Sequence, residues 1–570
     1  MSILTSSPKA PKDPVKKSQA FYIMRNKDVS GSPQPDGRGI QFIYENDGRL
    51  ISSAKLVGNI EDEEELNLLK TTEGFKKLVH QIGVCVETAD YSSYVDFCFQ
   101  MYGKTDTYGS GTTLRLKVRG DGSEALLNLD EVEWSDDDDI PGQIRFEFEK
   151  AGTLATVSVK FYLHEGFQAP PVEEEAPVKF DSDEYARMIA SSIICKGNNS
   201  RLKKAFSKAR AGEDVTIAFI GGSITQGAGA IPINNNCYAR KTFEGFCNLT
   251  GRGYDENVKY VKAGVGGTPS ELGMIRYDKD VLKNGEVTPD VVVVEFAVND
   301  AGDETGGRCY DSLVRKIYNG PGKPAVILIF AVFQDDYNLQ ERLIPVGKAY
   351  HLPMVSTKNC VTEQFYKKAG EGRVVSKNQF FYDQYHPSNT GHRIMADGLI
   401  ELFKQTDKEL EGTPLDSLDD IAAPIGGEFE KVYRIDRKYD PCNAKIDCGD
   451  FKDTDNEIQR VERDMDLTVT GVFPDNWLHK AGNKPFVMDI ECSKLILVYQ
   501  DSASPKVGTA LVYADGELKL TVDPHLIGWT HCNPLIIFEN DKKEMHHIEI
   551  KMKDEDLDKE FTILGFGAVD

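Results

Sequence analysis

The sequence predicts a multidomain chain of mixed class: a central α/β domain built on a doubly wound parallel sheet, flanked by two all-β domains. Three observations carry this. The length, 570 residues, suggests about three domains at roughly 100–200 residues each. Two stretches, Gln168–Pro177 and the run from Glu411 to Gly427, are rich in Pro, Gly and acid and read as linkers with little to bury. Between them the hydrophobic pattern changes character. These seams give domains at 18–166, 180–408 and 428–570.

In the first segment, Thr113–Val118 and Ala155–Phe161 alternate apolar with polar residues. Period-two alternation bounded by Gly, Asp and Pro predicts half-buried antiparallel strands and hence a β-sandwich. The acidic run Asp136–Asp139 lacks the regular spacing of a calcium loop and reads as a solvated turn. Trp134 beside it does not fix a function. This domain fits glycan binding, homo-oligomerisation or simple capping of its neighbour equally well.

The central segment contains Val215–Ile220, Val258–Lys262, Val291–Phe296, Ala325–Phe330 and Pro353–Ser356, short apolar runs rich in β-branched residues. Helix-compatible stretches such as Tyr238–Leu249 and Tyr310–Tyr318 separate them. Near-continuous apolar strands alternating with helices indicate a parallel sheet covered on both faces. The last segment returns to alternation at Lys494–Tyr499, Gly508–Tyr513, Leu518–Val522 and His547–Met552, predicting a second, jelly-roll-like sandwich. Trp477 and Trp529 lie there in polar surroundings with His479, His531 and Asn533. Either tryptophan could anchor the core or stack on a sugar ring.

Charge and composition narrow the partners. Lys and Arg number 67 against 91 Asp and Glu, a net charge of −24. Nucleic acids and anionic membranes are bound by neutralising phosphate with basic side chains, so neither is expected as a partner. Apolar runs such as Val291–Val294 and Ala325–Val332 fall far short of the roughly 20 residues that span a bilayer, which predicts a soluble protein. The opening Met1–Lys9 lacks the pattern of a secretory signal. The 11 cysteines are scattered singly, with no disulfide framework or zinc spacing, and a cytoplasmic location fits best.

In open α/β sheets the ligand crevice lies outside the carboxyl ends of the strands, so the residues following each run are the ones to read. Gly221-Gly222-Ser223-Ile224-Thr225-Gln226-Gly227 follows the first. It lacks the Lys of a phosphate-binding P-loop and the spacing of a dinucleotide fingerprint. It does present a serine hydroxyl on a tight glycine turn. Ala263-Gly264-Val265-Gly266-Gly267-Thr268 follows the second run, where glycine lets a backbone N–H approach a ligand. The third closes on Asn299-Asp300, and a carboxamide is a neutral donor suited to a developing oxyanion. Asp383-Gln384-Tyr385-His386 then places an acid three residues before an imidazole, where it can accept the Nδ1 proton and leave Nε2 as a base. Each motif alone reads as turn chemistry or a helix cap. His392, with no such acid, reads as a packing or surface residue.

Ser, Gly, Asn and Asp-x-x-His occur in that order, each at a strand end or in the closing loop. This set resembles the SGNH hydrolase family, also called GDSL-type esterases, over roughly residues 181 to 407. The resemblance implies a flavodoxin-like sheet, Ser223 as nucleophile, His386 as base and Asp383 as its orienting acid. It implies an oxyanion hole of the Ser223 and Gly267 N–H groups and the Asn299 amide, and no metal or organic cofactor. One position departs from the family, which often carries Asp where Gly222 stands. The family does not use that Asp for proton transfer, so only the local packing of the loop is expected to differ.

The arrangement as a whole is similar to carbohydrate O-acetyl esterases. Phe473–Trp477 and Gly528–Asn533 resemble the carbohydrate-binding-like modules of such enzymes, which fold over the crevice. The resemblance implies an acetylated hemicellulose oligosaccharide as substrate, mannan ahead of xylan, with Trp477, Trp529 and His531 as substrate-binding candidates. No broad apolar platform is evident around the motifs, which favours acetyl over long acyl groups. A GDSL-type lipase or aryl-ester hydrolase, and a non-catalytic glycan-binding protein, are the alternatives.

Overall fold

The computed structural model describes residues 19–45, 48–173, 175–253, 256–461 and 471–570. The opening stretch Met1–Lys9, Ser18 at the first expected boundary and Glu174 of the first seam lie outside them. The chain forms two units, residues 1–174 and 175–570.

In the first unit, strands Ala20–Ser30, Leu154–Leu163, Val79–Thr88 and Asp121–Asn128 form an antiparallel sheet in that order. A second has the order Ser32–Pro33, Gly39–Glu45, Asp138–Phe148, Tyr94–Gly103, Thr113–Arg119. Their inner faces share one core. Phe161 of the first sheet stacks on Phe99 of the second at 6.1 Å, and Phe75 meets both edge-on. Leu154–Leu163 buries every second residue, as its alternation requires. Phe75 comes from Thr72–Leu78, one of three short helices (with Arg49–Leu56 and Glu63–Leu68) that the β-pattern did not predict. Caps make two of them: Asp62 accepts from Glu64 and Glu65 N–H, and Thr71 accepts from Gly74 N–H. The acidic run is not a simple solvated turn. Asp137 accepts from Thr105 N–H and Oγ1, and the buried Asp138 accepts from Thr112 N–H and Oγ1.

The second unit is built on strands β1 (Ile193–Cys195), β2 (Val215–Gly221), β3 (Val258–Gly264), β4 (Val291–Glu295), β5 (Ala325–Phe330) and β6 (Met354–Ser356). Their order is β1-β6-β5-β4-β2-β3. The last five are parallel; β1 is an antiparallel edge strand, too short to show in the sequence pattern. Counted along the parallel strands the order is 2-1-3-4-5, so the topological switch, and the crevice it opens, lies between β2 and β4. Alternate residues feed two cores. Ile217, Phe219, Val291 and Val293 face one, Ala218, Ile220, Val292 and Val294 the other. Helices Tyr238–Thr250 and Asn389–Lys408 cover the first side, Ser270–Asp280 and Arg308–Asn319 the second.

Register then fixes the site. Gly221 pairs with Gly264 on one side and Glu295 on the other, so three strands end level with one another.

The chain continues into an eight-stranded antiparallel sheet whose long members are Phe486–Asp501, His531–Met552 and Phe561–Val569. Ile496, Val498, Cys532 and Leu564 of this sheet join the core that Leu272, Leu313 and Val314 begin. The second seam is not a free linker. Arg201 donates to the carbonyls of Leu415 and Asp416, Arg315 to those of Leu418 and Ile421, and Asp311 accepts from Ile425 and Gly426 N–H. Backbone groups in an irregular stretch need partners when covered, and here guanidinium forks supply them. Among the described residues no helix is long and apolar enough to cross a membrane, and none of the eleven cysteines is joined in a disulfide.

Candidate active site

Ser223 opens the helical turn Ser223–Gln226 immediately after β2. Its Oγ lies 3.0 Å from Nε2 of His386. His386 Nδ1 lies 2.9 Å from Asp383 Oδ2. Asp383 is buried, and its other oxygen accepts the N–H groups of Tyr385 (2.8 Å) and His386 (2.9 Å). That Asx turn holds the carboxylate against the ring. Tyr382 N–H closes the loop on His386 O, and Ser388 caps the following helix by accepting from Gly391 N–H. Three residues from two distant stretches thus form one hydrogen-bonded chain. It can move a proton from the serine hydroxyl to an imidazole whose charge the acid would balance.

Gly266, which precedes Gly267, and Asn299 both lie against the serine turn. A Cβ placed on Gly266 would be 4.0 Å from Ser223 Cβ, and one placed on Gly222 only 2.2 Å from Asn299 Oδ1. Gly267 has φ +71° and its N–H donates to no group among the described residues. Asn299 turns back through its N–H to Phe296 O, with its Oδ1 buried and unbonded. Asp300 ties the two turns together: Ser270 N–H and Oγ donate to its two oxygens at 2.8 and 2.7 Å. Burial pushes the Asp300 carboxyl up to about 7, and that of Glu295, at the end of β4, up to about 8.

The three substrate-binding candidates separate. Trp477 is 4% exposed, packed edge-on to Phe486 and against Phe566; it anchors the core and offers no face to a sugar. Trp529 is 45% exposed, with its Cζ2 3.1 Å from where a Gly267 Cβ would stand. It follows a loop, 526–528, whose three N–H groups converge on Asp501. His531 is buried, with Nδ1 bonded to Asn533 and Nε2 directed at Gly267. It lies under the glycine loop rather than open to a ligand, and burial holds its imidazole below the ordinary range. His392 is a packing residue: it accepts Tyr238 N–H at Nδ1 and donates from Nε2 to Ala228 O.

Sequence reasoning missed Gln226 and Gln459. Gln226 Oε1 accepts Gly266 N–H at 3.0 Å, and Gln459 Nε2 donates to Gly266 O at 2.7 Å. Gln226 lies inside the glycine turn after β2, where its spacing from Ser223 was the available signal. Gln459 stands 193 positions from its partner with no local signal.

Glu271, Asp303 and Cys309 are the grouping with metal-ligand spacing among the described residues. Burial first, then the charge of Asp303, pushes the Glu271 carboxyl up to about 10. Asp303 already accepts Thr305 N–H, Thr305 Oγ1 and Gly307 N–H. The group reads as a buried acid pair in which Glu271 carries the proton.

Residues 219–394 match the family of GDSL-like lipases and acylhydrolases. A two-domain esterase (CEX) active on acetylated mannans is similar in structure, with TM-score 0.56 and 25% identity over 67% of this chain and 99% of its own. The same kind of esterase co-crystallized with mannopentaose gives 0.55 and 25% over 67% and 98%. Nearly all of that relative therefore has a counterpart here, while a third of this chain has none in it. A comparison with curated proteins finds no match. The chain carries a GDSL-type esterase domain and is a carboxylic ester hydrolase.

Proposed function

We propose that this GDSL-type carboxylic ester hydrolase removes O-acetyl groups from hemicellulose oligosaccharides, acetylated mannan ahead of xylan, through an acyl-enzyme on Ser223. The observation that carries the reading is the Ser223–His386–Asp383 chain at 3.0 and 2.9 Å. Ser223 Oγ attacks the acetyl carbonyl as His386 takes its proton. The tetrahedral oxyanion is held by the Ser223 and Gly267 N–H groups and the Asn299 amide, each worth about 3–4 kcal/mol in the barrier. His386 then protonates the departing sugar oxygen. Water, deprotonated by the same imidazole, attacks the acetyl-serine and releases acetate. Side chains and water handle every proton, so the scheme calls for no cofactor.

The likeness to an esterase active on acetylated mannans supports the glycan, and the exposed Trp529 beside Gly267 supports a sugar-stacking face at the crevice. We read the all-β parts as jelly-roll-like sandwiches, the last of them carbohydrate-binding in character. Cysteines outside any disulfide fit a cytoplasmic enzyme acting on imported oligosaccharides.

Mass spectrometry of acetylated manno- and xylo-oligosaccharides before and after incubation tests this. Acetyl units should leave the manno-oligosaccharides first, and Ser223→Ala should abolish the loss. Faster turnover of long-chain than of acetyl nitrophenyl esters would favour a lipase instead.

A further inference from the structure

The Gly266–Gly267 peptide is gripped at its carbonyl by a side chain from the C-terminal region. Gln459 is 5% exposed and bridges two segments: its Nε2 donates to Gly266 O at 2.7 Å and its Oε1 accepts Cys532 N–H at 2.9 Å. Gln226 holds the preceding amide through Gly266 N–H. The carbonyl of Gly266 and the N–H of Gly267 belong to one planar trans peptide and point in opposite directions. Fixing the oxygen therefore fixes the N–H. A hydrogen bond accepted at the carbonyl also polarises the amide and strengthens its N–H as a donor. The glycines need such a grip, because Gly267 sits at φ +71° and a Gly-Gly pair has little conformational preference of its own.

We infer that Gln459 is a positioning residue for ester hydrolysis: through the Gly266 carbonyl it sets the direction and strength of the Gly267 N–H in the oxyanion hole. The inference rests on the reading of Gly267 as an oxyanion donor. It makes the C-terminal β-region part of the catalytic apparatus as well as a glycan-facing module.

The test uses the full chain, 4-nitrophenyl acetate and a small boronic acid that forms a tetrahedral adduct with the serine. Gln459→Glu keeps the acceptor for Cys532 N–H but, when ionised, sets an oxygen against the Gly266 carbonyl. Its kcat should fall about 10- to 100-fold at neutral pH, with boronate affinity weakened in parallel and KM changed less. Lowering the pH through the carboxyl range protonates the new side chain and restores a donor. Its rate relative to wild type should then recover, whereas Gln459→Leu should show a comparable loss and no recovery. A Gln459→Glu rate within about twofold of wild type overturns the inference. So does a loss matched by a fallen melting temperature with no recovery in acid, which marks a merely structural role. Ser223→Ala run alongside separates the two levels: if it retains turnover, the reading of the active site fails. If it is dead while both Gln459 variants run at full rate, only this inference fails.

Discussion

The Asn299 amide lies directly across from Gly222, so close that a Cβ at position 222 would stand 2.2 Å from Asn299 Oδ1 and 2.9 Å from Nδ2. With the carboxamide where it stands, the position before the proposed nucleophile has no room for a side chain. Gly222→Ala should displace Asn299 and lower kcat on an acetyl ester by about 10²-fold, approaching the loss in Asn299→Ala. Steady-state kinetics of both variants check this. A wild-type rate in Gly222→Ala would mean that the amide is not needed where it stands.

Asp383 serves the backbone with one oxygen and the imidazole with the other. Asp383→Asn keeps the size of the group but can present an N–H to Nδ1, stabilising the tautomer whose Nε2 carries the proton. Turnover at neutral pH should drop by up to about 10⁴-fold with the melting temperature little changed. Retention of more than about a tenth of the activity would argue against the role.

The two tryptophans should respond in opposite ways. Trp477→Ala empties a packed site and should cost about 3–5 kcal/mol of stability. Trp529→Ala, on an exposed rim, should leave urea unfolding unchanged while raising KM for an acetylated oligosaccharide more than for 4-nitrophenyl acetate. Equal effects on both substrates would remove the sugar-stacking assignment.

His392 makes one acceptor and one donor bond, which only the neutral ring can do, and burial lowers its pKa from 6.5 to about 4. The unfolded chain therefore binds a proton that the folded one refuses as the pH falls. Its contribution to stability is full above about pH 6.5 and is lost between there and about pH 4, at up to about 1.4 kcal/mol per pH unit. Urea midpoints across that window should fall in wild type and fall less in His392→Gln. Identical slopes would show that the ring is not titrating.

Short-range chemistry is legible in the chain alone. Apolar runs such as Val291–Phe296, alternating with helical stretches, indicate strands buried on both faces, the serine, glycine and asparagine follow their strands within a few residues, and Asp383 reaches His386 across a single turn. Whatever depends on distant neighbours was settled by the folded molecule. Trp477 and Trp529 sit in similar polar contexts, yet one is core and the other rim, because burial is a property of the fold rather than of flanking residues. The seam at 411–427 reads as free by composition, but Arg201, Asp311 and Arg315 close on it from remote helices. The level ends of Gly221, Gly264 and Glu295 come from strand register, and the grip of Gln459 on Gly266 spans 193 positions. Periodicity and turn preference act over a few residues, whereas a hydrogen bond between remote segments leaves no mark on either segment alone.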